Sequence, residues 1–212
     1  MTSIHLKKPA VIFDCDGVLF DSRKSNIHLY NDLLAHFRMP PMNKDEESFV
    51  HMHTGKESIR HIFRNTSFVE RALEYFLRMD YTPFIRDMVM VPGLKTLLRQ
   101  LKHHVGLAIA TNRSSTIGKV LEWHGLDHYF EIVVSSLDVT HPKPHPESLF
   151  KIFDFFSVGP LDAFYVGDSE VDEKTALAAG VTFISFQNRT LHADFHIDDI
   201  MDIGDIVGIG RS

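Results

Sequence analysis

With 212 residues, 44% of them hydrophobic and 24% charged, the chain has the make-up of a globular protein with one large domain, or a compact domain carrying a smaller insertion; disordered and fibrous architectures are excluded. The net charge of −6 and the scatter of its 22 Lys and Arg residues argue against a nucleic-acid partner, and no apolar run approaches the ~18 residues of a membrane span. Cys15 is the single cysteine, so no internal disulfide can form, and the opening MTSIHLKKPAVIFDCDG lacks the features of a secretory signal, which leads to an expected cytoplasmic location.

The first apolar run, Ala10 to Phe13, stops abruptly at Asp14-Cys15-Asp16-Gly17 and predicts a buried parallel strand running into a loop. From Ser22 the period turns helical, with Ile27, Tyr30, Leu33, Leu34 and Phe37 on one face before Pro40-Pro41. Ile59, Ile62 and Phe63, then Val69, Ala72, Leu73, Phe76 and Leu77, keep that spacing. After Pro92-Gly93 the pattern alternates. A helix carries Leu94, Leu97, Leu98 and Leu101; VGLAIAT is a strand; Ile117, Val120 and Leu121 mark a helix; EIVVSS is a strand; Pro146 to Phe156 is a helix; AFYVGDS is a strand; Glu170 to Ala179 is a helix stopped by Gly180; VTFIS is a strand. Strands separated by helices imply parallel crossover units covered on both faces, a doubly wound α/β core.

About seventy residues of helical pattern between the first strand and the rest are too long for a simple crossover. The expected organisation is a Rossmann-like α/β core of residues 1–20 and 88–212 with a helical cap of residues 21–87, and hinges at Met79–Pro83 and Met90–Pro92.

In open parallel sheets ligands lie beyond the carboxyl ends of the strands. Those ends supply Asp14 and Asp16, Thr111 and Asn112, Lys143, and Asp168 followed by Asp172. Each has an ordinary reading alone: a helix cap, an Asp-Gly turn, a solvated lysine. Together they favour chemistry. Asp14, Asp16 and Asp168 would repel one another without a hard divalent cation, and Mg2+ suits their oxygen ligands, with a main-chain carbonyl among them. Asp14, fixed at a strand end, can attack phosphorus. Asp16 can protonate the leaving oxygen and then activate water, provided burial or a like charge raises its pKa. Thr111, the Asn112 N–H and Lys143, held among three prolines, can hold phosphate oxygens.

These residues closely resemble the haloacid dehalogenase-like hydrolase superfamily. FDCDGVLFDS, ATN, KPHP and VGDSEVD match its four motifs in order. The resemblance implies that Asp14 is nucleophile and metal ligand, that Asp16 is the acid/base whose carbonyl binds Mg2+, that Asp168 completes the metal site, that Asp172 anchors it from behind, and that Thr111, Asn112 and Lys143 hold phosphate. The insertion resembles the family's small helical cap. Its expected recognition segment is His51 to Ser58, with Gly55 admitting a ligand and Lys56 or Arg60 contacting an anion; an ordinary capped helix start is the competing reading. The His51 and His53 pair lacks the further ligands of a metal site.

Within the family the chain looks most like phosphoglycolate phosphatases. The expectation is a phosphatase acting on a small phosphorylated metabolite through an aspartyl-phosphate, as a monomer or homodimer. The alternatives are a β-phosphoglucomutase-like mutase, disfavoured because Asn26 stands where such mutases usually carry His, an inorganic pyrophosphatase, and a non-enzymatic phospho-accepting regulatory module.

Overall fold

The structure, a computed structural model, describes residues 8–210. Positions 1–7, 211 and 212 of the expected core lie outside the described residues. Strand β1 (Ala10–Phe13) sits near the centre of a six-stranded parallel sheet with β4 (Gly106–Ala110), β5 (Ile132–Val134), β6 (Ala163–Gly167), β7 (Thr182–Phe186) and β8 (Phe195–Ile197), in the order β5-β4-β1-β6-β7-β8. Counted along the core alone this is the 3-2-1-4-5-6 order of a doubly wound sheet. The order reverses at β1, so the crevice beyond its carboxyl end is open to both halves.

Burial explains why the central strands are apolar throughout. Every residue of β1 and β4 is buried, and successive side chains point to opposite faces. Val11, Phe13, Leu107 and Ile109 join one hydrophobic cluster, with Leu94, Leu97, Leu98 and Leu101 of helix α6 (Leu94–Leu101) and with Ile117, Val120 and Leu121 of α7 (Ile117–His124). Ala10, Ile12, Ala108 and Tyr165 join the other, against Leu149 and Ile152 of α8 (Glu147–Phe156) and Ala176 of α9 (Glu170–Ala179).

Between β1 and α6 lie five helices: α1 (Arg23–His36), α2 (Lys44–Met52), α3 (Gly55–Ile62), α4 (Val69–Phe76) and α5 (Thr82–Arg86). Helices α2 and α3 each begin with a capping box, Asn43 with Glu46 and Thr54 with Glu57, which satisfies N–H groups the helix itself cannot. The segment enters and leaves through a two-stranded antiparallel ribbon, β2 (Phe20–Asp21) with β3 (Val89–Met90). The sequence pattern did not anticipate this ribbon, because two residues per strand leave no period to read. Strand β8 and the last helix, α10 (Asp202–Ile206), also escaped the pattern: Phe195 and His196 are exposed at the sheet edge and only Ile197 is buried.

Candidate active site

The strand ends at the reversal of order place Asp14, Asp16, Thr111, Asn112, Lys143 and Asp168 around one pocket. Asp14 follows β1 and its N–H donates to the Val166 carbonyl at 2.9 Å, so the sheet ladder fixes its backbone. Lys143 is buried and donates from Nζ to Asp14 Oδ1 at 2.8 Å, to Tyr165 Oη at 2.9 Å and to Asp172 Oδ1 at 2.7 Å. All three ammonium hydrogens are thereby used. Burial opposes its charge, but Asp14 and Asp172 more than offset this and hold the pKa above the usual lysine range.

Asp172 is fully buried at the start of α9 and satisfied on both oxygens. Oδ1 accepts from Lys143 and from Tyr165 Oη at 2.5 Å; Oδ2 accepts from Ser169 Oγ at 2.6 Å, Ser169 N at 3.2 Å and Asp168 N at 3.3 Å. It therefore positions Lys143 from below. Asp14, Asp168 and Asp172 bring oxygens within 4.8 Å of one another. Burial, then the neighbouring Asp172 and Asp16 charges, raise Asp14 to about 7 despite Lys143. Burial, followed by Asp172 and Asp14, likewise pushes Asp168 well above the carboxylate range. A hard cation would relieve that suppressed ionisation, and the all-oxygen donor set fits one. Gly17 makes the cluster sterically feasible: its φ is +84°, and a Cβ there would lie 2.0 Å from Asp168 Oδ2.

Asp16 departs from expectation. An acid/base was expected to have a raised pKa, yet Arg113 grips Asp16 through Nε at 3.0 Å and Nη2 at 2.6 Å. Burial pushes Asp16 upward, but the Arg113 charge and hydrogen bonds, with help from His51, prevail and hold it at about 2. The expected elevation is thus corrected: as arranged here Asp16 is an ionised carboxylate. Sequence reasoning missed Arg113 although it directly follows Thr111-Asn112 at a strand end, which was the available signal. It missed Tyr165 as well, whose signal was a polar group in an otherwise apolar strand.

Thr111 Oγ1 accepts from the Arg113 N–H at 3.1 Å. Asn112 Nδ2 donates to the Lys143 carbonyl at 3.0 Å and to the Met52 carbonyl of α2 at 3.2 Å, tying the Lys143 loop to the helical segment. That segment lines the same pocket with Asn26, Tyr30, His51, Gly55 and Phe76 among others. Burial is the main reason the His51 pKa lies below its ordinary value. Gly55 does reach the pocket, and a Cβ there would meet Phe76 Cε1 at 2.9 Å. Lys56 and Arg60 do not reach it; both are exposed on α3, whose start is the ordinary capped one. The pocket is partly open to solvent, and its inner cavity is about 60 Å³, room for roughly four to six water-sized groups.

A family model described as haloacid dehalogenase-like hydrolase matches residues 11–186. A phosphoglycolate phosphatase of Chromobacterium violaceum is 28% identical, over 97% of this chain and 98% of its own length. A pyrophosphatase PpaX of Oceanobacillus iheyensis is 26% identical, over 93% and 96%. Among solved structures, a haloacid dehalogenase-superfamily hydrolase of subfamily IA from Geobacter sulfurreducens PCA superposes with a TM-score of 0.78 at 36% identity, covering 98% of this chain and 100% of that one. A predicted phosphoglycolate phosphatase from Haemophilus somnus 129pt has the same fold, with a TM-score of 0.80 at 22% identity over 95% and 99%.

Proposed function

Since the chain belongs to the haloacid dehalogenase-like hydrolases and is a phosphoric monoester hydrolase, we propose that it is a magnesium-dependent phosphatase cleaving a small phosphomonoester through an aspartyl-phosphate on Asp14. The observation that carries this reading is the Asp14 carboxylate, fixed at the end of β1 and held by Lys143 at 2.8 Å, with Asp16 two residues beyond it in the same pocket. In the first half-reaction an Asp14 oxygen bonds to phosphorus as the ester P–O bond breaks, and Asp16 gives the leaving oxygen a proton. In the second, water attacks the same phosphorus, the Asp14–phosphorus bond breaks, and Asp16 takes the water proton. Asp16 bound to Arg113 is charged as the second half requires; the first half needs it protonated and turned from the guanidinium to the ester oxygen.

Asp14, Asp168 and the Asp16 carbonyl would hold the magnesium ion, whose positive charge would offset the negative charge on the transferring phosphoryl oxygens. Thr111 and the Asn112 N–H would hold two of those oxygens, and Lys143 another in exchange for one of its present contacts. The helices covering the pocket are read as the cap that excludes bulk water. The small cavity supports a short ester such as phosphoglycolate, the substrate named for several relatives. Asn26, bonded to Arg113 and His51, offers no imidazole of its own for a mutase. Pyrophosphate, the substrate named for another relative, is the competing small anion.

Replacing Asp14 with Asn should abolish phosphate release from p-nitrophenyl phosphate and from a panel including phosphoglycolate, pyrophosphate and glucose 1-phosphate. Parental rates in the variant would sink the aspartyl-phosphate mechanism. Conversion of glucose 1-phosphate to the 6-phosphate without release would replace hydrolysis by the mutase reading.

A further inference from the structure

On the side of the pocket where the leaving group would lie, the hydrogen-bond inventory leaves donors to spare. The chain of bonds starts at Asp16, whose two oxygens take Arg113 Nε and Nη2. Arg113 Nη2 also meets Asn26 Oδ1 at 3.3 Å. With its oxygen turned to the guanidinium, Asn26 directs its amide nitrogen at His51 Nδ1, also at 3.3 Å. An imidazole whose Nδ1 accepts carries its hydrogen on Nε2. No hydrogen bond among the described residues uses that Nε2–H, and His51 lines the pocket. Arg113 Nη1, which reaches Thr116 Oγ1 at 3.4 Å, has a second hydrogen to give, and Asn26 Nδ2 has one as well. Arg113, Asn26 and His51 all line the pocket, while the acceptors beside them, Asp16 and Asn26 Oδ1, are turned on Arg113.

We propose that Arg113, Asn26 and His51 form a receptor for a carboxylate carried by the leaving group, so that the preferred esters bear a carboxylate one carbon from the bridging oxygen. This rests on the phosphatase reading above and adds to it the residues that choose the substrate. A carboxylate offers several lone pairs to converging donors, and Arg113 can grip it as it grips Asp16. The exchange serves the reaction. When Asp16 turns to the ester oxygen, Arg113 loses its counter-charge, and the substrate carboxylate replaces it. A neutral leaving group would leave a buried guanidinium unpaired, which is costly. The inner cavity of about 60 Å³ suits a short tail. His51 lies in α2, so the receptor spans the sheet and the helical segment and is complete only when the two are together.

The test compares kcat/KM for 2-phosphoglycolate with that for 2-hydroxyethyl phosphate, an ester of matched size with a neutral leaving group, in the parent, Arg113→Met, His51→Phe and His51→Gln. The parent should prefer the carboxylate by roughly 50-fold or more, the scale of hydrogen bonds to a charged group. Arg113→Met should reduce that ratio at least tenfold, and His51→Phe severalfold, mainly through KM. His51→Gln keeps a donor and should retain most of the ratio. Variants that slow both esters equally would assign Arg113 and His51 a merely structural part and overturn the proposal. A parent that cleaves the hydroxyethyl ester and p-nitrophenyl phosphate without carboxylate preference overturns it alone. A parent inert to all three overturns the phosphatase reading and the proposal with it.

Discussion

Lys143 is held by three oxygens, and the one supplied by Tyr165 carries no charge. Tyr165 is wholly buried, accepts from the ammonium and donates to Asp172. Tyr165→Phe keeps the ring in place but leaves one ammonium hydrogen unpaired, so it should cost about 1–3 kcal/mol in urea unfolding. It should also lower kcat, since Lys143 is then aimed by two contacts. An unchanged midpoint would mean that water substitutes for the hydroxyl. A second residue-scale consequence concerns pH. The folded metal-free protein raises Asp14 from 3.8 to about 7, so it keeps a proton that the unfolded chain releases. This contribution to stability is full below about 3.8 and is lost as pH rises through about 7. Asp168 acts in the same direction. A divalent cation competes with those protons, so Mg2+ should raise Tm more at about pH 8 than at about pH 5.5. Equal shifts at both values, read by calorimetry, would place bound magnesium away from these carboxylates.

At the scale of elements, the start of α3 shows how a cap sequence divides its work. Thr54 accepts from the Glu57 N–H while Glu57 accepts from the Thr54 N–H, the reciprocal box that starts the helix. Gly55 then meets the pocket while Lys56 and Arg60 turn to solvent. Thr54→Ala should cost about 1 kcal/mol of stability, whereas Lys56→Ala and Arg60→Ala should leave kcat/KM within about twofold, as substitutions on an exposed face do. A large loss in either charge variant, measured on the best ester of the panel, would return that face to the site. The same contrast marks what the sequence made legible. Strands β1, β4, β6 and β7 announced themselves because burial on both faces demands apolar runs, and their ends carry Asp14, Thr111 and Asp168. β8 did not, since an edge strand with two exposed residues has no such constraint. Arg113 was hidden for another reason: its partner Asp16 lies 97 positions away, and nothing local records the pairing.

Across the whole molecule, the helical segment and the sheet share one hydrophobic cluster, in which Leu33, Ile59 and Phe63 connect with Phe20, Leu94 and Leu97. Polar links run beside it, Asn112 to the Met52 carbonyl and Arg113 to Asn26. A chain of 212 residues is long enough to unfold through intermediates, and a cap that packed on its own core would be expected to melt separately. Continuity of the cluster argues the opposite. Undocking the segment exposes apolar surface on both sides and breaks the ties at the pocket, so neither part gains by leaving the other intact. Trp123 is placed to report on this, being the single tryptophan of the chain and lying in α7 with the Arg86 guanidinium of α5 over its ring at 5.2 Å. Its fluorescence follows the joint between segment and core, while far-UV circular dichroism follows the helices of both. In urea the two signals should trace one transition with coincident midpoints. A tryptophan transition that precedes the loss of helix would mean that the segment detaches as a unit, and the ribbon β2–β3 would then be the hinge about which it leaves.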